Sequence, residues 1–215
     1  MSKKATVVLC TESESETEKL EKFLFNRNLS SKIRVIPKYE LNLPKFKIYD
    51  KKITKTLQNG IDFLKEYIEN NAKLKEYLGD FYIVNMGERF ELEFDGRKFQ
   101  ISPNAMFKDI EEKYGIGNIK KMKAVWTSYI FLYHNGHSYA YSYRINGAIT
   151  ETKCEKEMHG KEFLKIFVPI KKNKNVDYKT YANLRKKERR MFDPYLRMVK
   201  TLIKEINTNS KEIFL

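Results

Sequence analysis

Residues 126–149 read WTSYIFLYHNGHSYAYSYRINGAI. Aromatic residues alternate with small or polar ones on both sides of Asn135-Gly136, and a second Asn-Gly, Asn146-Gly147, closes the run. Asn-Gly tolerates the positive φ angles of a two-residue turn whose twist matches its flanking strands, so the stretch is a long antiparallel hairpin. Tyr129, Phe131 and Tyr133 fall on one face of the first strand, and Tyr139, Tyr141 and Tyr143 on one face of the second. Packing against a neighbouring layer is the expected use of at least half of these rings. Base stacking is the other use open to them.

Outward from the hairpin, the pattern is mixed. ATVVLC (Ala5–Cys10) is a buried strand, and Leu20, Phe23 and Leu24 mark a helix that starts in the acidic Glu14–Glu18 stretch. Ile33–Ile36 is a second strand, stopped by Pro37. Ile53, Leu57, Ile61, Leu64 and Ile68 repeat at helical spacing and predict one long helix ending near Gly79. FYIV (Phe81–Val84) is a third strand, and RFELEFDGRKFQI alternates about Asp95-Gly96 as a further hairpin. A short helix near Met106–Tyr114, a strand over Phe163–Pro169 and a C-terminal helix from Thr180, bent at Pro194, complete the pattern. The expectation is a single α/β domain over residues 1–215: a mixed, strongly twisted sheet with a long central antiparallel hairpin, flanked by helices.

The chain has 215 residues, 41% of them hydrophobic, which suffices for a sizeable core. No apolar run is long enough to span a bilayer, and MSKKATVVLCTES lacks the apolar stretch and cleavage site of a secretory signal. Cys10 and Cys154 stand far apart without a CxxC, which excludes a disulfide framework and a zinc finger. A cytoplasmic protein with no membrane partner is expected. The formal net charge is +14, and between Lys153 and Glu205 sixteen Lys and Arg face seven Asp and Glu. Such a field favours an anionic partner, nucleic acid first. A lysine-rich composition that merely solvates the surface is the competing explanation.

Few motifs carry chemistry. There is no GxxxxGK[ST], no GxGxxG after a strand, no GxSxG and no HExxH. His134 and His137 flank the turn with no third ligand near them in sequence and read as exposed tip residues, and His159 as a loop residue. Glu188 and Asp193 read as surface ion-pairing residues. Arg185-Lys186-Lys187-Glu188-Arg189-Arg190 puts five cations in six residues, beside the loop KKNKN (Lys171–Asn175). It is either a phosphate-facing helix or a solvated helix start.

Six segments in order resemble the inosine triphosphate pyrophosphatase family. VVLCTES with EKLEKFL resembles the family's opening strand, TGN loop and lysine-bearing helix; LNLPKFK its LPEYQGE segment; and INGAITE the Gly-x-Ile closing its central hairpin. KIFVP is similar to the end of its GYDPIFVP segment and KTYANL to its TYAEM, with the C-terminal helix following. The resemblance implies a nucleotide cleft in which Thr11, Lys19 and Tyr181 are the residual nucleotide-binding positions. It also implies dimers through the hairpin region, and carboxylates that hold magnesium and activate water. Those carboxylates are missing. Val84 and Asn85 stand at the acidic pair, Tyr49 (beside Asp50) at the LPEYQGE glutamate, Glu12 at the TGN glycine and Leu164 at the GYDP aspartate. Asp193-Pro194-Tyr195 replaces the SHR that grips the purine. An amide such as that of Asn85 cannot act as a general base near neutral pH.

The sequence therefore predicts a retained fold without its reaction, with no catalytic residue, cofactor or metal, reused to bind RNA or a ribonucleoprotein such as the ribosome. The residues expected to meet phosphates are Lys171, Lys172, Lys174, Arg185, Lys186, Lys187, Arg189, Arg190 and Arg197, in a basic helical region over 171–206. Two alternatives stay open. One is a divergent magnesium-dependent pyrophosphatase using Asp50, Glu88 or Glu91. The other is a regulatory protein that keeps a nucleotide as ligand.

Overall fold

The computed structural model describes residues 4–11, 13–41, 43, 52–115, 117, 121–151, 161–170 and 179–212. The elements are β1 (Ala5–Leu9), α1 (Glu14–Phe25), β2 (Ile33–Pro37), α2 (Ile53–Glu69), α3 (Ala72–Leu78), β3 (Phe81–Phe94), β4 (Arg97–Ile101) and α4 (Phe107–Tyr114). They continue with β5 (Lys123–His134), β6 (His137–Ile149), β7 (Phe167–Pro169), α5 (Lys186–Phe192) and α6 (Pro194–Glu212). The strands are hydrogen-bonded in the order β2-β1-β3-β5-β6-β7, with β4 on β3. This is the mixed α/β class read from the sequence. Among the described residues no helix is long and apolar enough to cross a membrane. The chain forms two compact units: Met1–Gly87, Tyr129–Ser142 and Met198–Leu215 make unit 1, and Glu88–Ser128 and Tyr143–Arg197 make unit 2.

In unit 1, β1 is buried at every position. It pairs in parallel with β2 through Val7↔Val35 and with β3 through Val7↔Tyr82. A parallel strand covered on both faces needs no alternation, which is why ATVVL is continuously apolar or β-branched. α2 buries Leu57, Gly60, Ile61, Leu64 and Ile68 on one face, and Ile61, Leu64 and Ile68 share a core with Val8, Ile36 and Ile83. The single helix expected from Ile53 to Gly79 is two helices. Asn71 leaves the helical conformation, and its side-chain oxygen accepts the Leu74 N–H at 3.0 Å, capping α3.

The central turn forms as expected, with φ of 45° at Asn135 and 84° at Gly136. On β6, half-buried Tyr139, Tyr141 and Tyr143 alternate with exposed Ala140, Ser142 and Arg144. On β5, buried Ile130 and Leu132 alternate with half-buried Tyr129 and Phe131 and with buried Tyr133, so that strand is covered on both faces. His137 is exposed, but His134 is not a tip residue. It is buried, stacked on Tyr82 with centroids 3.8 Å apart, and its Nδ1 faces the Phe81 carbonyl oxygen at 3.0 Å. A flat imidazole can join an aromatic stack while one ring nitrogen is satisfied by the backbone.

Unit 2 is built on a different core, in which Phe90, Leu92, Trp126, Phe163, Phe167 and Tyr181 are all buried. β3 runs unbroken from Phe81 to Phe94 where the sequence suggested a strand ending at Val84, and pairs with β4 about Asp95-Gly96. Only Phe167–Pro169 of the strand expected from Phe163 is a strand. Glu162–Lys165 is a 3-10 turn that buries the adjacent residues Phe163 and Leu164, which a strand would send to opposite faces. At the C-terminal region the expected bend is a break. α5 ends at Phe192, and Asp193 Oδ1 accepts the Leu196 N–H at 3.2 Å, capping α6. Pro194 takes the first helical position, where a missing N–H costs nothing.

Gly147 marks the tightest approach in this unit. A Cβ there would stand 2.5 Å from the Val168 carbonyl oxygen and closer still to the Phe167 ring. Backbone cannot give way as a flexible side chain can. Gly147→Ala is therefore expected to lower stability by about 1–3 kcal/mol, read as a fall in the denaturation midpoint at unchanged slope.

Candidate functional site

The turn between β1 and α1 is where this strand–helix arrangement would receive a phosphate. The chain fills it with its own groups. Ser13 caps the helix, its Oγ accepting the Glu16 N–H at 3.4 Å, while its own N–H donates to Thr11 Oγ1 at 3.0 Å. The Thr11 hydroxyl in turn donates to Glu16 Oε2 at 2.6 Å. Thr11 is thus committed as both donor and acceptor, and the Glu16 carboxylate lies in the first turn, where the helix dipole favours a negative charge. Lys19 is exposed and has no ion-pair partner among the described residues. Glu12 lies outside the described residues.

Asn85 is buried, and its Nδ2 donates to the Leu57 carbonyl oxygen of α2 at 2.8 Å. Gly60 makes room for it: a Cβ there would meet Asn85 Nδ2 at 2.5 Å and Cys10 Sγ at 3.0 Å. An amide can donate here, whereas a carboxylate would face the carbonyl with nothing to give. The proposed substitute acids are engaged elsewhere. Glu88 is ion-paired with Lys161, and buried Glu91 meets Arg89 at 3.0 Å. Tyr49 and Asp50 lie outside the described residues. Among the described residues no group of three His, Cys, Asp or Glu side chains could hold a metal ion. Neither Val84 nor Asn85 offers a carboxylate to a hard cation such as magnesium.

Unit 2 brings together an aromatic centre that sequence reasoning did not single out. Phe90 stacks on Trp126 at 5.6 Å between centroids, and Phe167 and Tyr181 meet it edge-on at 6.3 and 5.2 Å. The Lys161 ammonium sits 5.9 Å from the Trp126 centroid, tethered by its ion pair with Glu88. Burial pushes the Tyr181 hydroxyl well above its ordinary range, the carboxylates of Asp193 and Glu88 add to this, and Arg189 opposes them. Tyr181 therefore stays protonated and serves as a packing residue. Trp126 Nε1, Thr180 Oγ1 and Arg189 Nε are buried donors with no partner among the described residues. Only the presence of one tryptophan could have drawn attention to this centre beforehand.

The basic segment divides into roles. The Arg185 backbone N–H and guanidinium donate to the two Glu188 carboxylate oxygens at 2.8 and 2.9 Å, closing the start of α5. Glu188 is ion-paired as expected, and it also caps the helix. Arg189 is half-buried, and the exposed Arg197 donates to the Met191 carbonyl oxygen at 2.9 Å, closing the end of α5. Lys186, Lys187 and Arg190 are exposed and have no acidic partner among the described residues. At about 100° per residue they share one sector of the helix, away from Glu188. Lys171, Lys172, Lys174 and Tyr178 lie outside the described residues, as does His159.

Two outcomes follow from this geometry. Asn85→Asp, which restores an acid, should cost about 1–3 kcal/mol by stranding the Leu57 carbonyl beside a buried carboxylate, and a magnesium-supplemented pyrophosphate-release assay should stay at background. The Arg185 hydrogen bonds hold the Glu188 carboxyl down to about 2 from an ordinary 4.5. A lowered carboxyl stabilises the fold above its unfolded value and loses that contribution as pH falls towards its folded one. The α5 cap should persist through neutral pH and weaken between pH 4.5 and about 2, visible as a carboxyl titration near pH 2 by NMR.

No protein-family model matches the chain, and no curated protein matches it in sequence. Among solved structures, it is similar to a nucleoside-triphosphatase / dITP/XTP pyrophosphatase from Mycobacterium abscessus, with 13% sequence identity and a TM-score of 0.57. The match covers 92% of this chain and 97% of that one. At this identity the likeness is one of fold: the chain folds as an inosine triphosphate pyrophosphatase-like α/β protein.

Proposed function

We propose that this chain is a non-catalytic member of its fold type that binds RNA, as a free strand or within a ribonucleoprotein such as the ribosome, through the outer face of α5. The observation that carries this reading is the single sector of Lys186, Lys187 and Arg190, exposed and without acidic partners among the described residues, on a chain of net charge +14. Their neighbours Arg185, Arg189 and Arg197 are spent on capping or half-buried, so α5 is held in shape while its outer cations stay available. A guanidinium beside two ammonium groups suits phosphate oxygens, the guanidinium by its fork and the lysines as point charges. The Glu16 carboxylate in the first turn of α1 works against a second phosphate position there. Of the acids suggested for turnover, Glu88 and Glu91 are each already ion-paired with a cation.

The test is fluorescence anisotropy with a labelled single-stranded RNA across a salt series. Three phosphate contacts give a slope of about −2 in log affinity against log salt. Reversing Lys186, Lys187 and Arg190 to Glu should abolish most of the binding at low salt. Reversing three scattered exposed lysines, Lys32, Lys55 and Lys75, should weaken it only modestly. Equal losses for both sets mean that general charge is at work, and the assignment of α5 then falls. Sedimentation of the native protein with ribosomal particles at low but not high salt would identify the ribonucleoprotein form.

A further inference from the structure

The surroundings of Trp126 are lopsided. Phe90 stacks on the indole, and Phe167 and Tyr181 stand perpendicular to it, all buried side chains of unit 2. The Lys161 ammonium ion stands over the ring, and its side chain is 35% exposed. The ring is 2% exposed, with a surface lysine as well as other rings among its neighbours. The ammonium can leave for water, whereas Phe90 cannot. Its tether is the Glu88 carboxylate, itself partly accessible. Three donors, Trp126 Nε1, Thr180 Oγ1 and Arg189 Nε, lack partners among the described residues. Thr180 adjoins Tyr181 in the chain, and Arg189 acts on the Tyr181 hydroxyl, so they belong to the same neighbourhood. Buried donors in native proteins are nearly always satisfied, and the unpartnered indole Nε1–H leaves room for an incoming acceptor.

We propose that Trp126 is a latched stacking position for one unpaired base of the bound RNA, with Lys161 the chain's own occupant of the ring face and Glu88 the catch that holds it there. The proposal rests on the RNA reading above. A base offers a flat face to the indole, and carbonyl and ring-nitrogen acceptors along its own edge. Arg189 belongs to α5, whose outer residues would hold the adjoining phosphates. When the base arrives, the Lys161 ammonium moves from the ring to solvent or to a phosphate of the same strand. No covalent bond is made or broken.

The protein has one tryptophan, so its emission reports on this position alone. A 12-residue oligoadenylate should quench wild-type emission and bind at least about fivefold tighter than an abasic oligomer of the same length. Lys161→Met keeps the stem and removes the charge. It should widen that ratio and let free adenosine quench the emission at concentrations that leave the wild type unchanged. Glu88→Gln, which slackens the catch without emptying it, should fall between the two. Equal affinity for the adenylate and abasic oligomers in wild type and Lys161→Met, with unaltered emission, overturns the latch and leaves the phosphate reading of α5 standing. If neither oligomer binds, the RNA reading has failed, and adenosine quenching of Lys161→Met then decides the stacking position independently. Should Lys161→Met fail to fold, raising the salt on wild type replaces it. Screening loosens the ion pair, so adenosine quenching should grow as oligomer binding falls, and adenosine quenching that stays absent at every salt concentration overturns the latch.

Discussion

One hydrogen bond, from the Asn85 amide to the Leu57 carbonyl of α2, fixes how closely helix and strand approach in unit 1. It requires glycine at position 60, because a Cβ there would collide with the amide nitrogen. It also requires a donor at position 85, because the carbonyl accepts and a carboxylate cannot donate. The amide at position 85 thus ties the helix to the sheet. The neighbouring Val84 is fully buried and belongs to the same packed strand.

The charges obey a related rule. Carboxylates near the strands and helix starts are matched: Glu16 with Thr11, Glu88 with Lys161, Glu91 with Arg89, and Glu188 with Arg185. Glu93 shows the balance in detail. Burial raises its carboxyl, but hydrogen bonds from Arg144 and Lys98 outweigh that and bring it below its ordinary value. Each matched acid uses a cation or hydroxyl. The excess of cations is what remains on the surface, and on α5 it gathers in one sector.

Much of the fold was legible because it was written in local chemistry. Asn135-Gly136 and Asp95-Gly96 fix their turns through backbone angles that few other pairs adopt. The apolar run of β1 and the spacing along α2 named their buried residues directly. What escaped was set by partners distant in sequence. His134 reads as a polar tip until Tyr82 and the Phe81 carbonyl take it in. The break between α2 and α3 turns on whether Asn71 caps or continues, and the hydrophobic period runs on through either choice. The same limit governed the site. The basic run could be counted, but the division of Arg185, Arg189 and Arg197 from Lys186, Lys187 and Arg190 depends on backbone oxygens and one glutamate. Trp126 carried no sequence signal beyond its rarity.

The way the chain is threaded has a consequence for how it acquires its structure. Unit 1 is assembled from three separated stretches, the last beginning at Met198, and unit 2 from two, both lying between the first and last of those. Neither unit is a contiguous piece of the chain. On the ribosome, β1, β2 and α2 are made early, yet the unit they belong to cannot close until α6 has been synthesised. The intervening stretches of unit 2 can collapse around Trp126 before then, as soon as the segment through Phe192 is available. Folding governed by such remote pairings is slow, and an open parallel edge waits exposed meanwhile. The nascent chain should depend more heavily on chaperones than a contiguous domain of its length, with the Phe90–Trp126–Phe167 cluster the earliest stable nucleus.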